Sequence, residues 1–242
     1  MRIFIDVGAH YGETLDVALD PRWGFDRVFS LEPSRDCQRL LRTFRDQRII
    51  LDDRGLSNET KSAELLGAGL LGGSVYADKP QGEGGGVETI SLVRASDWLR
   101  RHTTPGDDVW LKLNCEGSEA DILDDLLDSD ELGRVRSIYV DFDIRKIPSQ
   151  VHRQARIEAR LSEAAVSYVT PESIGVTGNP AVAAWLAQSF PTFPASTTAR
   201  LRHALRLYLP PYLRVKAIAR TLLPRSAFLW LGQRVGRLGR RS

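Results

Sequence analysis

The chain has 242 residues, of which 42% are hydrophobic and 26% charged, a balance that excludes a disordered polyampholyte and supports one substantial core with room for an appendage. Two cysteines, Cys37 and Cys115, stand outside any CxxC or histidine-rich pattern, which suggests neither a disulfide framework nor a zinc or other metal site and fits a reducing compartment. The net charge of +2 is unevenly spread: residues 1–172 carry 22 bases and 31 acids, whereas residues 173–242 carry 11 bases and no acid.

Short apolar runs alternate with helix-like segments through the first half. Ile3 to Val7 reads as a buried strand closed by Gly8; it is too short for a signal-peptide core and carries Asp6. A helix is predicted over Glu13–Leu19 and a second strand over Arg27–Leu31. A helix capped by Ser34 then places Leu40, Leu41 and Phe44 on one face. Ile49–Leu51, Val109–Cys115 and Ser137–Phe142 read as further strands, with a helix from about Ser118 to Leu127 between the last two. Between the third and fourth of these strands, Gly67 to Gly86 holds eight glycines. That stretch reads either as a hairpin insertion or as a loop over an acceptor site. Thr89–Val93 is a strand leading into a helix at Ser96–Leu99. Alternation of this kind predicts an α/β fold, an open and mostly parallel sheet with helices on both faces.

The sharpest constellation is Asp6-Val7-Gly8-Ala9-His10-Tyr11-Gly12-Glu13-Thr14. A strand ends in an acid, two glycines bracket a turn, and a helix begins, so the backbone can approach a ligand closely. Dinucleotide sites place glycines at i, i+2 and i+5; here they stand at i and i+4, with His10 at i+2. That spacing disfavours a diphosphate, and Asp6 suits a ligand that carries an ammonium group. Glu32, twenty residues after Gly12, can accept hydrogen bonds from both hydroxyls of a ribose. Asp53, just past the third strand, is placed either to reach an adenine edge or as a solvated turn acid.

These pieces resemble the FkbM-type methyltransferase family. The glycine turn is similar to the family's Asp-Val-Gly-Ala-Asn/His-x-Gly, and Val28-Phe29-Ser30-Leu31-Glu32-Pro33 to its strand ending in Glu-Pro. Gly55-Leu56-Ser57-Asn58 resembles its Ala-Leu-Ser-Asp/Asn segment, and Ser96-Asp97-Trp98-Leu99 its Leu-Asp-x-Leu helix. Leu111-Lys112-Leu113-Asn114-Cys115-Glu116-Gly117-Ser118-Glu119 resembles Leu-Lys-Ile-Asp-Val-Glu-Gly-Ala-Glu. The likeness spans roughly residues 3–145, with the pieces in order. It implies a class I (Rossmann-like) sheet of seven strands, the last ones inserted antiparallel. It also implies S-adenosylmethionine as methyl donor and a hydroxyl acceptor on a surface or lipid-linked glycan or a secondary metabolite. By the same resemblance Asp6, Gly8, His10 and Gly12 line the donor loop, Glu32 meets the ribose and Asp53 the adenine. The chain departs from the pattern at Asn114, where the family has Asp, and at Asp141 and Asp143, where it has a single Glu.

Methyl transfer from a sulfonium needs in-line positioning, and an alcohol acceptor must also lose a proton. Strand alternation puts Lys112, Asn114 and Glu116 on one face near the ligand end of the sheet. The catalytic candidates are therefore Glu116, as orienting or basic group, and Asn114, as a polar anchor; bracing of the following helix by Glu116 and Glu119 is the competing role. His10 reads as packing or hydrogen-bonding in the donor loop, with proton transfer as the lesser alternative.

From Ala199 the sequence turns into basic, aromatic-bearing helical segments interrupted at Pro210-Pro211. The expected division is a methyltransferase domain over 1–198 and basic amphipathic helices over 199–242. Eleven bases without an acid suit an anionic membrane surface, with a helical cap as the alternative, and nothing in the chain resembles a nucleic-acid motif. The expected location is cytoplasmic and peripheral on the membrane. Two rivals remain open: a nicotinamide-dependent oxidoreductase, and a protein that keeps the fold as a binding module without catalysis.

Overall fold

In the opening strand Ile3, Ile5 and Val7 face one side while Phe4 and Asp6 face the other, and all five are fully buried, the pattern of a strand covered on both faces. A computed structural model of the chain describes residues 1–70, 72–80, 85–189, 195–210 and 213–214. In chain order the elements are β1 (Arg2–Val7), α1 (Leu15–Ala18), β2 (Arg27–Leu31), α2 (Arg35–Leu41), β3 (Ile49–Asp52), β4 (Gly55–Ser57), β5 (Lys61–Ala68) and β6 (Gly86–Arg94). They continue with α3 (Ala95–His102), β7 (Asp108–Leu113), α4 (Glu119–Asp128), β8 (Val135–Val140), α5 (Arg153–Glu163), β9 (Tyr168–Val169), α6 (Pro171–Ile174), α7 (Asn179–Ser189) and α8 (Thr197–Ala204).

The central sheet runs β3-β2-β1-β7-β8-β9, and every pairing within it is parallel. Counting its own strands along the chain, this is the doubly wound order 3-2-1-4-5-6, with the winding direction reversing between β1 and β7. The alternating side chains feed two cores. Ile3, Ile5, Val7, Phe29 and Leu111 pack with α3, α4 and α5; Phe4, Val28, Trp110 and Tyr139 pack with α1, α2 and α7. A mostly parallel sheet with helices on both faces is therefore present. It differs in detail from the seven-stranded expectation. Among the described residues the sheet has six strands, and β9 joins the edge of β8 directly and parallel to it, because the helical crossover through α5 returns the chain to the same end of the sheet. A smaller sheet, β4-β6-β5, is formed mainly by the long β5–β6 hairpin; this hairpin carries the glycine-rich stretch at its tip.

α8 straddles the expected boundary at 198/199. Beyond it Tyr208 is buried, its hydroxyl donates to Asp16, and its carbonyl accepts from the N–H of Arg45 at 2.6 Å. His203 Nε2 donates to the Asp16 carbonyl at 2.8 Å. The chain as far as Leu209 thus packs into the core that faces α1 and α7, while Leu201 and Leu205 of the same segment are exposed. The later basic segments expected at 215–242 lie outside the described residues. No described helix is long and apolar enough to cross a membrane.

At the reversal point Asp6 and Lys112 are register partners on β1 and β7, and their side chains form an ion pair of 2.8 Å with both groups buried. Removing one partner leaves the other charge unpaired in the interior. Lys112→Met should lower the free energy of unfolding by about 3–5 kcal/mol, and adding Asp6→Asn should recover about 1 kcal/mol or more. Urea unfolding of the three proteins reads both numbers, and a single-variant loss well below this range would show that the pair does not hold the sheet.

Candidate functional site

A cavity of about 550 Å³ opens at the carboxyl ends of β1, β2, β7 and β8, where doubly wound sheets bind their ligands and within the usual range of about 300–1,000 Å³ for small-molecule sites. Gly8, His10, Glu32, Asn114 and Glu116 all line it. The sequence-predicted residues Asp6, Gly12 and Asp53 do not belong to its lining.

The turn after β1 is held from below. Lys112 Nζ reaches Asp6 and also donates to the carbonyls of Val7 at 3.3 Å and Gly8 at 2.9 Å. Asp6 is therefore not the countercharge for a ligand that the sequence suggests. It is completely buried and faces Lys112; burial pushes its carboxyl above the usual range against the lysine's pull. Gly8 has φ +76°, and a Cβ there would lie 2.0 Å from the carbonyl oxygen of Asn114, so the two loops approach each other with no room for a side chain. Gly12, at φ +84°, serves packing: its missing Cβ would strike Phe44 and Leu41.

Four N–H groups of the turn are already engaged. Gly8 and Ala9 both donate to the Leu31 carbonyl at 3.1 Å, and Gly12 donates to the Ala9 carbonyl at 2.8 Å. His10 donates to Glu32 Oε2 at 2.8 Å. Glu32 also accepts from the Ser34 N–H through Oε1 at 2.9 Å. Burial pushes Glu32 above its usual range, and these two backbone donors only partly offset it. The His10 ring rests through Nδ1 on Glu13 Oε1 at 3.0 Å. Its Nε2, like Asn114 Oδ1, is buried without a hydrogen-bond partner.

Strand alternation does not extend past Leu113, where β7 ends. Asn114 to Ser118 form a loop in which Glu116 takes φ +59° and Gly117 φ +116°, and this bend parts the roles of the two glutamates. Glu119 is fully buried and braces the loop, accepting from the N–H groups of Cys115 at 2.8 Å and Gly117 at 3.0 Å; burial still pushes its carboxyl up to about 7. Glu116 turns into the cavity instead. It pairs with Lys79, whose ammonium also donates to the Gly72 carbonyl at 3.2 Å, and the Asp143 carboxyl is near enough to act on it. Burial and Asp143 together push Glu116 up; Asp143 itself is buried, but Glu116 and the ion pair with Lys146 hold it below the usual range. Asp141, the other acid noted in this stretch, lies apart and meets Arg145 at 3.3 Å.

Lys79 escaped the sequence reading because it arrives from the glycine-rich tip of the β5–β6 hairpin. That tip roofs the cavity with Gly69, Leu70, Gly72, Gly73, Ser74 and Val75. It is tied down by Ser74 Oγ donating to the Glu116 carbonyl at 2.7 Å, by Tyr76 on Asp121 at 2.6 Å and by Tyr11 donating to the Gly69 carbonyl at 2.7 Å. A lone lysine beside Pro80 carries no local signal of this role. Asp53 stands at the other extreme. Its side chain is 66% exposed, 3.7 Å from Arg42, in a separate shallow cleft beside β3. The neighbouring Asp52 turns inward to Arg54 and to the indole N–H of Trp98 at 2.8 Å.

No family model matches the chain, and comparisons with curated proteins and with solved structures return no match.

The Glu119 brace has a consequence for pH. A carboxyl raised from 4.5 to about 7 by folding binds its proton more tightly in the folded state. Its contribution to stability is therefore complete below 4.5 and is lost as pH rises toward 7. Between about pH 5 and pH 8 the wild-type protein should lose stability relative to Glu119→Gln. Tm measured for both across that interval tests this, and a constant difference would contradict it.

Proposed function

We propose that this chain is a class I S-adenosylmethionine-dependent O-methyltransferase whose acceptor is a hydroxyl of a sugar in a surface or lipid-linked glycan. The observation that carries this reading is the electrostatic character of the cavity. Glu13, Glu32 and Glu116 line it, and its lining lysine, Lys112, already faces Asp6. The N–H groups of Gly8, Ala9, His10 and Gly12 are engaged within the protein, and α1 has only four residues, too short to build a strong positive end. A site of this kind disfavours a dinucleotide and suits a cationic ligand that joins an amino acid to a nucleoside.

Its residues fit such a ligand. Each Glu32 oxygen accepts one backbone N–H and keeps a second lone pair for a ribose hydroxyl. The buried oxygen of Asn114 lacks a partner and can accept from an ammonium group. When bound, the donor supplies an activated methyl group, so what the protein must add is position and a place for the acceptor's proton. Glu116, fixed by Lys79, serves as the orienting group. The strand order is shared with nicotinamide-dependent oxidoreductases, which makes them the rival reading. The basic segment after Arg214 contains seven bases and no acid; with the exposed Leu201 and Leu205 it supports association with an anionic membrane, where a lipid-linked acceptor would reside.

S-adenosylhomocysteine should raise Tm and NADH should not, and Glu32→Gln should weaken S-adenosylhomocysteine binding by about tenfold through loss of charged acceptors. Calorimetry showing NADH bound and S-adenosylhomocysteine ignored would replace this reading with the oxidoreductase. For the membrane, full-length protein should sediment with phosphatidylglycerol-rich liposomes at low salt, and a chain ending at Arg214 should stay in solution. Equal behaviour of the two chains would remove the anchor.

A further inference from the structure

The proton of the acceptor hydroxyl needs a destination, and Glu116 is poorly placed to be it, since its carboxyl is already paired with Lys79. The His10 ring offers a better one. Glu13 can only accept at His10 Nδ1, 3.0 Å away, so Nδ1 carries a hydrogen, and in the neutral form of the ring Nε2 presents its lone pair. Burial pushes Glu13 up, but hydrogen bonds from His10 and from its own backbone outweigh that and hold its carboxyl below the usual range. Nε2 is buried, has no protein partner, and belongs to a ring on the cavity wall. A carboxylate behind one ring nitrogen and an open lone pair at the other is the arrangement that makes histidine a proton acceptor. The backbone places the ring on one side of the site: the His10 N–H engages Glu32 at the β2 end, whereas the ring engages Glu13, whose carbonyl accepts from Asn179 at the start of α7 at 2.6 Å. His10 holds φ +48°, a strained conformation for a non-glycine residue that the neighbouring contacts maintain.

We propose that His10 Nε2 is the general base of this site and that Glu13 is its positioning residue, at the α7 end of the cavity where the acceptor hydroxyl enters. The inference rests on the methyltransferase reading and deepens it. The acceptor O–H bond breaks and its proton forms the Nε2–H bond. The freed oxygen pair forms the bond to the methyl carbon, and the pair of the former carbon–sulfur bond remains on sulfur.

The test needs no acceptor. Diethyl pyrocarbonate acylates unprotonated imidazole nitrogens, and peptide mass mapping assigns the modified residue, with the exposed His152 as internal reference. At about pH 8, where an ordinary imidazole is unprotonated, His10 should be modified, and Glu13→Gln, at a half-exposed position, should slow that modification by roughly threefold or more while leaving His152 unchanged, because the carboxylate orients the ring and sustains its nucleophilicity. With saturating S-adenosylhomocysteine the rate at His10 should change by less than about twofold, since a base facing the acceptor stays open in the donor complex. An inert His10, a rate indifferent to Glu13, or full shielding by S-adenosylhomocysteine would each overturn the assignment, the last by making the ring a donor contact. Absence of S-adenosylhomocysteine binding, read separately by calorimetry, would instead overturn the proposed function.

Discussion

The Asp6–Lys112 pair is the contact around which the site is built. It joins the two strands at which the sheet reverses its winding, and it is completely enclosed. Two charges removed from water are costly, and their mutual attraction offsets that cost only when the remaining donors and acceptors are also satisfied. Lys112 meets this condition by donating to two carbonyls of the turn as well as to Asp6. The same ammonium therefore stabilises the sheet and fixes the turn that forms the cavity floor. Gly8 completes the junction, because only a residue without Cβ lets the Asn114 carbonyl come so close.

A second set of contacts converts this floor into an enclosed site. After β7 the chain bends sharply at Glu116 and Gly117, and the buried carboxyl of Glu119 collects the N–H groups that the bend leaves free. Glu116 is thereby turned toward the hairpin tip, where Lys79 and Ser74 meet it. Floor, back wall and roof come from three separate stretches of chain. The resulting cavity carries more acid than base among its lining groups, and that sign discriminates between candidate ligands where the strand order does not.

Much of the framework was legible in the chain. Continuous apolar runs mark strands buried on both faces, so β1 and β2 fall where they are expected. The glycine turn and Glu32 could be paired by spacing because the first crossover is short and its geometry varies little. The reading failed where local periodicity stopped describing the backbone. Alternation placed Asn114 and Glu116 on one strand face, but the strand ends at Leu113. Position after the third strand suggests Asp53, but the indole of Trp98 and the guanidinium of Arg54 draw Asp52 inward and leave Asp53 in solvent.

The sequence by itself determined the alternation of strands and helices, the glycine turn, the acid after β2 and the separation of an acidic body from a basic end. These are properties of neighbouring residues and follow from local backbone preferences and hydrophobic period. Only the tertiary structure decided that Asp6 belongs to Lys112, that Lys79 reaches Glu116, that Glu13 stands behind His10 and that the chain through Leu209 joins the main core. With the exception of Glu13 and His10, these partners lie tens of residues apart or more; for that one local pair, the orientation of the ring depends on the turn held by Lys112 and Glu32. Which charged groups meet is set by the way the sheet and its hairpin close on each other, and no local pattern encodes that closure.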